Sequence, residues 1–237
     1  MDRLHRTRLL FGDVAVDKLH NATVMVVGCG AVGSFAIEAL ARTGVGNIII
    51  LDSDNVALSN INRQLIALGS TIGRPKVDVA TERVLDINPE IRVTALNMFL
   101  NENNMPNIYP DLVIDAIDTV ASKIALYKWC DTHNIPFVSS MGAARKTDVT
   151  KIKMSKISKT TVCPLAAKIR KTVRQECIRD FDVVYSTEPA APTTTTGHVF
   201  GSLITVTGIF GLMLANWAIH HIISQNTNAA TQTRPNT

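Results

Sequence analysis

Short unbroken apolar runs punctuate the first half of the chain. Thr23 to Val27, Asn47 to Leu51 and Leu112 to Ala116 are too short and too uniformly apolar for surface helices, and read as strands buried on both faces. Ile91 to Leu96 alternates, and Pro136 to Met141 adds a further strand. Between them lie longer stretches with apolar residues at helical spacing: Ala31 to Thr43, Arg74-Pro75-Lys76 to about Ile87, and Ser122 to His133. Pro75 falls near the first helical position, where its missing N–H costs nothing. Met1 to Gly12 reads as an N-terminal helix with Leu4, Leu9, Leu10 and Phe11 as its apolar residues, Ser59 to Ile66 as a short helix or loop, and Asn101 to Tyr109 as irregular. Strands alternating with helices predict βαβ units, hence an α/β fold: a Rossmann-like, mainly parallel sheet flanked by helices.

After Gly142 the alternation fades. Lys151 to Ile157 alternates apolar and basic like an exposed strand. Pro164 to Gln175 is a basic amphipathic helix, Val183 to Pro189 a strand stopped by proline, and Ala190 to Gly197 a mobile loop. Val199 to Ile219 is 21 residues without a charge, long enough to span a bilayer. Its Ser202, Thr205, Thr207, Asn216 and three glycines, with no flanking positive cluster, favour instead a helix buried at a subunit interface. Membrane association through 199–219 is the alternative. The whole is expected to be one domain: a nucleotide-binding core over 20–142, a basic substrate-facing extension over 143–197, an apolar helix over 198–223 and a disordered tail over 224–237.

Candidate chemistry begins at the first strand's end. Gly28, Gly30 and Gly33 form a G-x-G-x-x-G, in which the first glycine allows a tight turn, the second a close approach of backbone to phosphate, and the third close helix–strand packing. The helix that follows offers unpaired N–H groups and a positive dipole end to an anion. Asp52, at the end of the second apolar run, is placed to bind a ribose hydroxyl. The polar run after it (Asp54, Ser59, Asn60, Asn62, Arg63, Gln64) is more than a dehydrogenase needs and suits the management of a triphosphate. Lys76 in a first helical turn is disfavoured by the helix dipole, so an anion in front of it is expected. Asp118, just past the end of an apolar strand, is placed where ligands of parallel sheets bind and would hold magnesium; Asp115, within that strand, reads as structural, capping a neighbouring loop.

Composition adjusts this picture in four ways. The 237 residues and 46% hydrophobic content suit one substantial globular domain. Met1 to His20 is charged and lacks an apolar segment, so no signal peptide is expected. Cys29, Cys130, Cys163 and Cys177 form no C-x-x-C pair, which points to a reducing, cytoplasmic setting without structural zinc. The net charge of +4 conceals an uneven distribution: residues 144–179 carry eleven Lys/Arg against Asp148 and Glu176, which leaves the rest of the chain at −5. A basic excess of that size suits a polyanionic partner such as RNA.

Taken in order, Gly28-x-Gly30-x-x-Gly33-Ser34, Ala41-Arg42-Thr43-Gly44-Val45-Gly46, Asp52-x-Asp54-x-Val56, Ser59-Asn60-x-x-Arg63-Gln64, Gly73-x-x-Lys76 and Asp115-Ala-Ile-Asp118 resemble the motifs of the ubiquitin-activating-enzyme-like superfamily, whose members adenylate carboxylates. The resemblance implies ATP and Mg2+ as cofactors, with Gly28, Gly30, Gly33, Asp52, Asp54, Asn60, Arg63, Lys76 and Asp118 around the nucleotide. It gives catalytic roles to Arg63, Lys76, Asp118 and Arg6, the last reaching phosphates across a homodimer interface. Cys163-Pro164-Leu165-Ala166-Ala167-Lys168-x-Arg170 and Val184-Tyr185-Ser186-Thr187-Glu188 resemble the branch that cyclises threonylcarbamoyladenosine beside the tRNA anticodon. That branch needs no cysteine acceptor, although Cys163 or Cys177 could carry a thioester as in protein-activating members. A cysteine desulfurase or sulfur-acceptor system is a further possible partner by this resemblance. Two other readings remain: an activator of a ubiquitin-like or sulfur-carrier protein, and a nucleotide-binding scaffold without activity.

Overall fold

The computed structural model describes residues 2–192 and 200–225. Seven strands form one sheet: β1 (Thr23–Val27), β2 (Asn47–Asp52), β3 (Arg92–Asn97), β4 (Leu112–Asp115), β5 (Phe137–Ser140), β6 (Ile152–Lys156) and β7 (Asp182–Ser186). Their order is β3-β2-β1-β4-β5-β7-β6. Every neighbouring pair is parallel except β6 with β7. The helices are α1 (His5–Phe11), α2 (Asp13–Asn21), α3 (Gly33–Thr43), α4 (Lys76–Ile87), α5 (Val120–Thr132), α6 (Pro164–Gln175) and α7 (Ile204–Ser224).

The unbroken apolar strands are explained by burial on both sides. Along β1, Val24 and Val26 enter one core while Met25 and Val27 enter the other; along β2, Ile48 and Ile50 oppose Ile49 and Leu51. The first core lies under α2, α3, α4 and α7, and the second under α5 and α6. The edge strand β3 is mostly exposed, which accounts for its alternating sequence. The basic extension adds its strands to the same sheet, since β7 pairs with β5 and β6 closes the edge.

The N-terminal helix expected within Met1 to Gly12 is present as α1, and a second helix, α2, follows it and supplies buried residues (Ala15, Val16 and Leu19). The first helix, α1, buries none, and Leu9 and Leu10 are each 75% exposed. The long apolar helix, α7, is 21 residues long, shifted five residues toward the C-terminus from the uncharged run 199–219, and its buried face meets its own chain. It lies on α2 and α3 and across β4, β5 and β7, with Val206, Phe210, Leu214, Ala215 and Ala218 wholly buried. Among the described residues it is the one helix long and apolar enough to cross a bilayer, yet 56% of its apolar window is buried inside the protein. A central helix of an α/β core needs the same composition as a membrane span, because both lie in apolar surroundings. The expected loop at 190–197 and tail at 224–237 fall mostly outside the described residues.

The α3–α7 contact depends on small residues. A Cβ on Gly211 would stand 2.3 Å from the carbonyl oxygen of Val32 and 2.8 Å from Phe35 Cβ. Gly211→Ala is therefore expected to force the helices apart, costing about 1–3 kcal/mol and lowering Tm by several degrees. An unchanged melting curve would show that this contact is looser than the structure indicates.

Candidate active site

The sheet order places a topological switch point between β1 and β4, where neighbouring strands lead their connections to opposite sides. A cleft of about 1010 Å³ opens there, at the carboxyl ends of β1, β2, β4 and β5. The three glycines each have a separate reason. Gly28 turns with φ +97°, and a Cβ on it would meet the Ala116 carbonyl at 2.7 Å. A Cβ on Gly33 would collide with the Gly28 carbonyl at 1.7 Å. Gly30 is different: the nearest atom to a Cβ there is Gln64 Nε2 at 3.8 Å, and the residue borders the cleft. Nothing in the chain requires Gly30 to lack a side chain, whereas a phosphate drawn against its backbone would. Gln64 lines the same cleft, and its Oε1 is buried without a hydrogen-bond partner among the described residues. An open backbone cradle and an orphaned acceptor fit a nucleotide with donors of its own.

Asp52 locks the turn. Its Oδ2 accepts from the Cys29 N–H at 2.6 Å and its Oδ1 from the Asp54 N–H at 2.8 Å, and Gly28 N–H donates to Leu51 O at 2.7 Å. Asn60 Oδ1 accepts from the Ala57 N–H at 3.0 Å, which leaves its amide hydrogens as the available donors. Arg63 Nη1 is steered by Ser59 O at 2.8 Å and Asn62 Oδ1 at 2.9 Å. Lys76 is buried, and its Nζ donates to Asp54 Oδ2 at 2.7 Å. The anion expected in front of this lysine is thus present within the chain: Asp54 aims the lysine, and both line the cleft. Asp118 is exposed on the loop after β4 and also lines it. One open carboxylate facing a phosphate site suits magnesium, which keeps several waters and takes one or two carboxylates.

Directly beneath that loop lies a buried polar cluster. Lys123 and Asp115 are both fully buried and paired at 2.7 Å. Asp115 Oδ2 also accepts from Tyr127 at 2.7 Å and Ser139 at 2.6 Å, while its Oδ1 caps the loop by accepting from the Ile117 N–H at 3.0 Å. Lys123 Nζ reaches across to the Ser140 carbonyl at 2.8 Å. Burial, reinforced by the Asp115 charge, pushes the Tyr127 hydroxyl well above its usual range, so it stays a donor. The pair fixes the ends of β4 and β5 against each other at the cleft floor.

A model of the ThiF family matches residues 4–236. The chain belongs to the ThiF family. Among its relatives, the tRNA threonylcarbamoyladenosine dehydratase of Bacillus subtilis (strain 168) is 47% identical over 192 residues, covering 79% of this chain and 76% of the relative. The Escherichia coli tRNA N6-threonylcarbamoyladenosine dehydratase solved with AMP superposes with a TM-score of 0.88 at 37% identity, over 94% of each chain. The same enzyme solved with ATP gives 0.88 at 36% identity, again over 94% of each. The family match thus covers the extension as well as the core.

Of the site residues expected from sequence, Gly28, Gly30, Asp52, Asp54, Asn60, Arg63, Lys76 and Asp118 line one cleft, with Gly33 packed directly behind the turn. Arg6 does not line it. Leu4, at the start of α1, packs on Gly44 just past the far end of α3, about 16 Å along that helix from the glycine turn. Among the described residues no three His, Cys, Asp or Glu side chains cluster as a metal site. Cys163 is buried and borders the cleft, while Cys177 is exposed and does not. The Lys123, Tyr127 and Ser139 cluster is not among the residues expected from sequence, although Lys123, Leu126, Tyr127 and Cys130 share one buried helical stripe. A lysine on such a stripe was the available signal.

Lys123→Met would strand the buried Asp115 carboxylate and is expected to cost about 3–5 kcal/mol in urea unfolding. Adding Asp115→Leu should recover part of that loss, and equal stability of the single and double variants would contradict the pairing.

Proposed function

We propose that this chain is an ATP-dependent tRNA threonylcarbamoyladenosine dehydratase that activates a carboxylate by adenylation. The observation that carries this reading is the phosphate-ready cleft, open at Gly30, in a chain that matches a dehydratase solved with AMP over 94% of its length. The threonyl carboxylate of the modified adenosine attacks the α-phosphorus of ATP and pyrophosphate leaves. The substrate's own amide then attacks the acyl carbon and AMP departs, so the base loses one water and ATP becomes AMP and pyrophosphate. No enzyme nucleophile is needed, and Cys163 and Cys177 are assigned none.

The residues divide the work by charge and reach. The Gly30 backbone and the α3 N-terminus receive phosphate oxygens. Asp52 keeps lone pairs for a ribose hydroxyl beyond the two N–H groups it holds. Arg63, Lys76 and the Asn60 amide face the charge that develops on pyrophosphate. Asp118 would hold magnesium, which supplies charge neutralisation at the phosphates when bound.

Arg6 belongs in this reading to a second copy, making the enzyme a homodimer. Its distance from its own cleft supports this, as do the exposed Leu9, Leu10 and Val14 around it. A cytoplasmic setting and a link to a cysteine desulfurase or sulfur-acceptor system accompany the reading on resemblance alone.

The test is incubation of the pure chain with ATP, magnesium and tRNA bearing threonylcarbamoyladenosine, followed by nucleoside mass analysis. AMP release with loss of one water from the modified base is expected. AMP formation only with a small carrier protein would replace this reading with the carrier-activating one.

A further inference from the structure

The basic extension does not use all its charge in the same way. Arg179 pairs with Asp131 at 2.8 Å and Lys156 with Asp182 at 3.1 Å. Arg170 donates to Thr160 O at 2.8 Å, and the Lys146 ammonium turns inward to the Glu188 carbonyl. These side chains build the fold. The two acids of the segment are also occupied, Glu176 by Lys128 at 2.7 Å and Asp148 by Thr150 at 2.9 Å.

Lys168, Lys171 and Arg174 are different. They are exposed on α6, and none makes an ion pair among the described residues. Ala166, Ile169 and Val173 bury the opposite face. The three cations follow one another at i, i+3 and i+6, spanning about 9 Å of helix axis. The helix contains no acid. An ordinary solvated helix face mixes signs, because like charges one turn apart repel by a few tenths of a kcal/mol. Here the repulsion is uncompensated. The helix also starts at the cleft, since Cys163, Pro164 and Leu165 line it.

We propose that the outward face of α6 is a phosphate-binding rail, on which Lys168, Lys171 and Arg174 hold the RNA backbone flanking the nucleotide that enters the cleft. This rests on the dehydratase reading above. The occupant is a polyanion of regularly spaced charges. Such contacts set position and affinity without reading sequence, while the modified base is recognised inside the cleft. Flexible lysine and arginine stems at the surface suit this, because each contact releases a counterion.

The experiment uses Lys168→Gln/Lys171→Gln/Arg174→Gln in the full chain. Binding to the modified tRNA is measured across a potassium chloride series, alongside turnover and ATP affinity. The triple variant should lose about two to three from the slope of log affinity against log salt. Its KM for tRNA should rise at least about tenfold at physiological salt, with kcat at saturating tRNA and ATP affinity unchanged. An unchanged salt slope and KM, with the unsubstituted chain turning over modified tRNA normally, would overturn the rail and leave the dehydratase reading intact. Absence of turnover by the unsubstituted chain would instead remove the reading on which the rail rests.

Discussion

The nucleotide cleft depends on a close approach of two backbones. The β1–α3 turn presses against the chain leaving β4, so that any side chain on Gly28 would strike the Ala116 carbonyl. The same turn supports α3 through Gly33, which leaves no room for a methyl group against the Gly28 carbonyl. Asp52 draws the end of β2 into the same junction by accepting from the Cys29 N–H. Three strand ends are thereby fixed relative to one another, and the groups proposed to handle ribose and phosphates stand on or beside them. Sites on strand ends hold geometry better than sites on free loops.

The buried Lys123–Asp115 pair extends this rigidity to the loop that carries Asp118. Burying two charges is costly, and apolar residues of the same volume often serve stability as well or better. What an apolar pair would lack is the set of directed bonds to Ile117 N–H, Tyr127, Ser139 and the Ser140 carbonyl. These bonds specify where β4 ends and where its loop turns. The cluster therefore reads as a device for position, sitting under the loop that carries Asp118, the carboxylate proposed to hold magnesium.

Much of this was legible in the sequence, for physical reasons. Parallel strands covered on both faces must be apolar throughout, so β1, β2 and β4 were placed within a residue or so. A proline near the helix start marked the beginnings of α4 and α6. The glycine motif and Asp52 were legible because each position answers a steric or hydrogen-bonding demand. The partnership of Lys76 with Asp54 was not, since it joins residues 22 apart through the fold. Nor was Lys123, because charge normally signals a surface and its partners come from β4 and β5. Which elements cover α7 was not legible for a related reason: apolar composition records that a helix is covered, not by what. Total charge overstated the free basic surface too, because Lys146, Lys156, Arg170 and Arg179 are spent within the chain.

The central claim is that the bare backbone at Gly30 exists for a nucleotide phosphate. The most direct measurement is ATP affinity by calorimetry in Gly30→Ala, with a thermal melt as control. Gly30 does not adopt a left-handed φ, and beyond its chain neighbours no atom lies closer to the added Cβ than Gln64 Nε2 at 3.8 Å, so stability should be preserved. The account predicts an unchanged Tm with ATP affinity reduced at least about tenfold, the equivalent of roughly 1.4 kcal/mol. Unchanged affinity in a normally folded variant would contradict it.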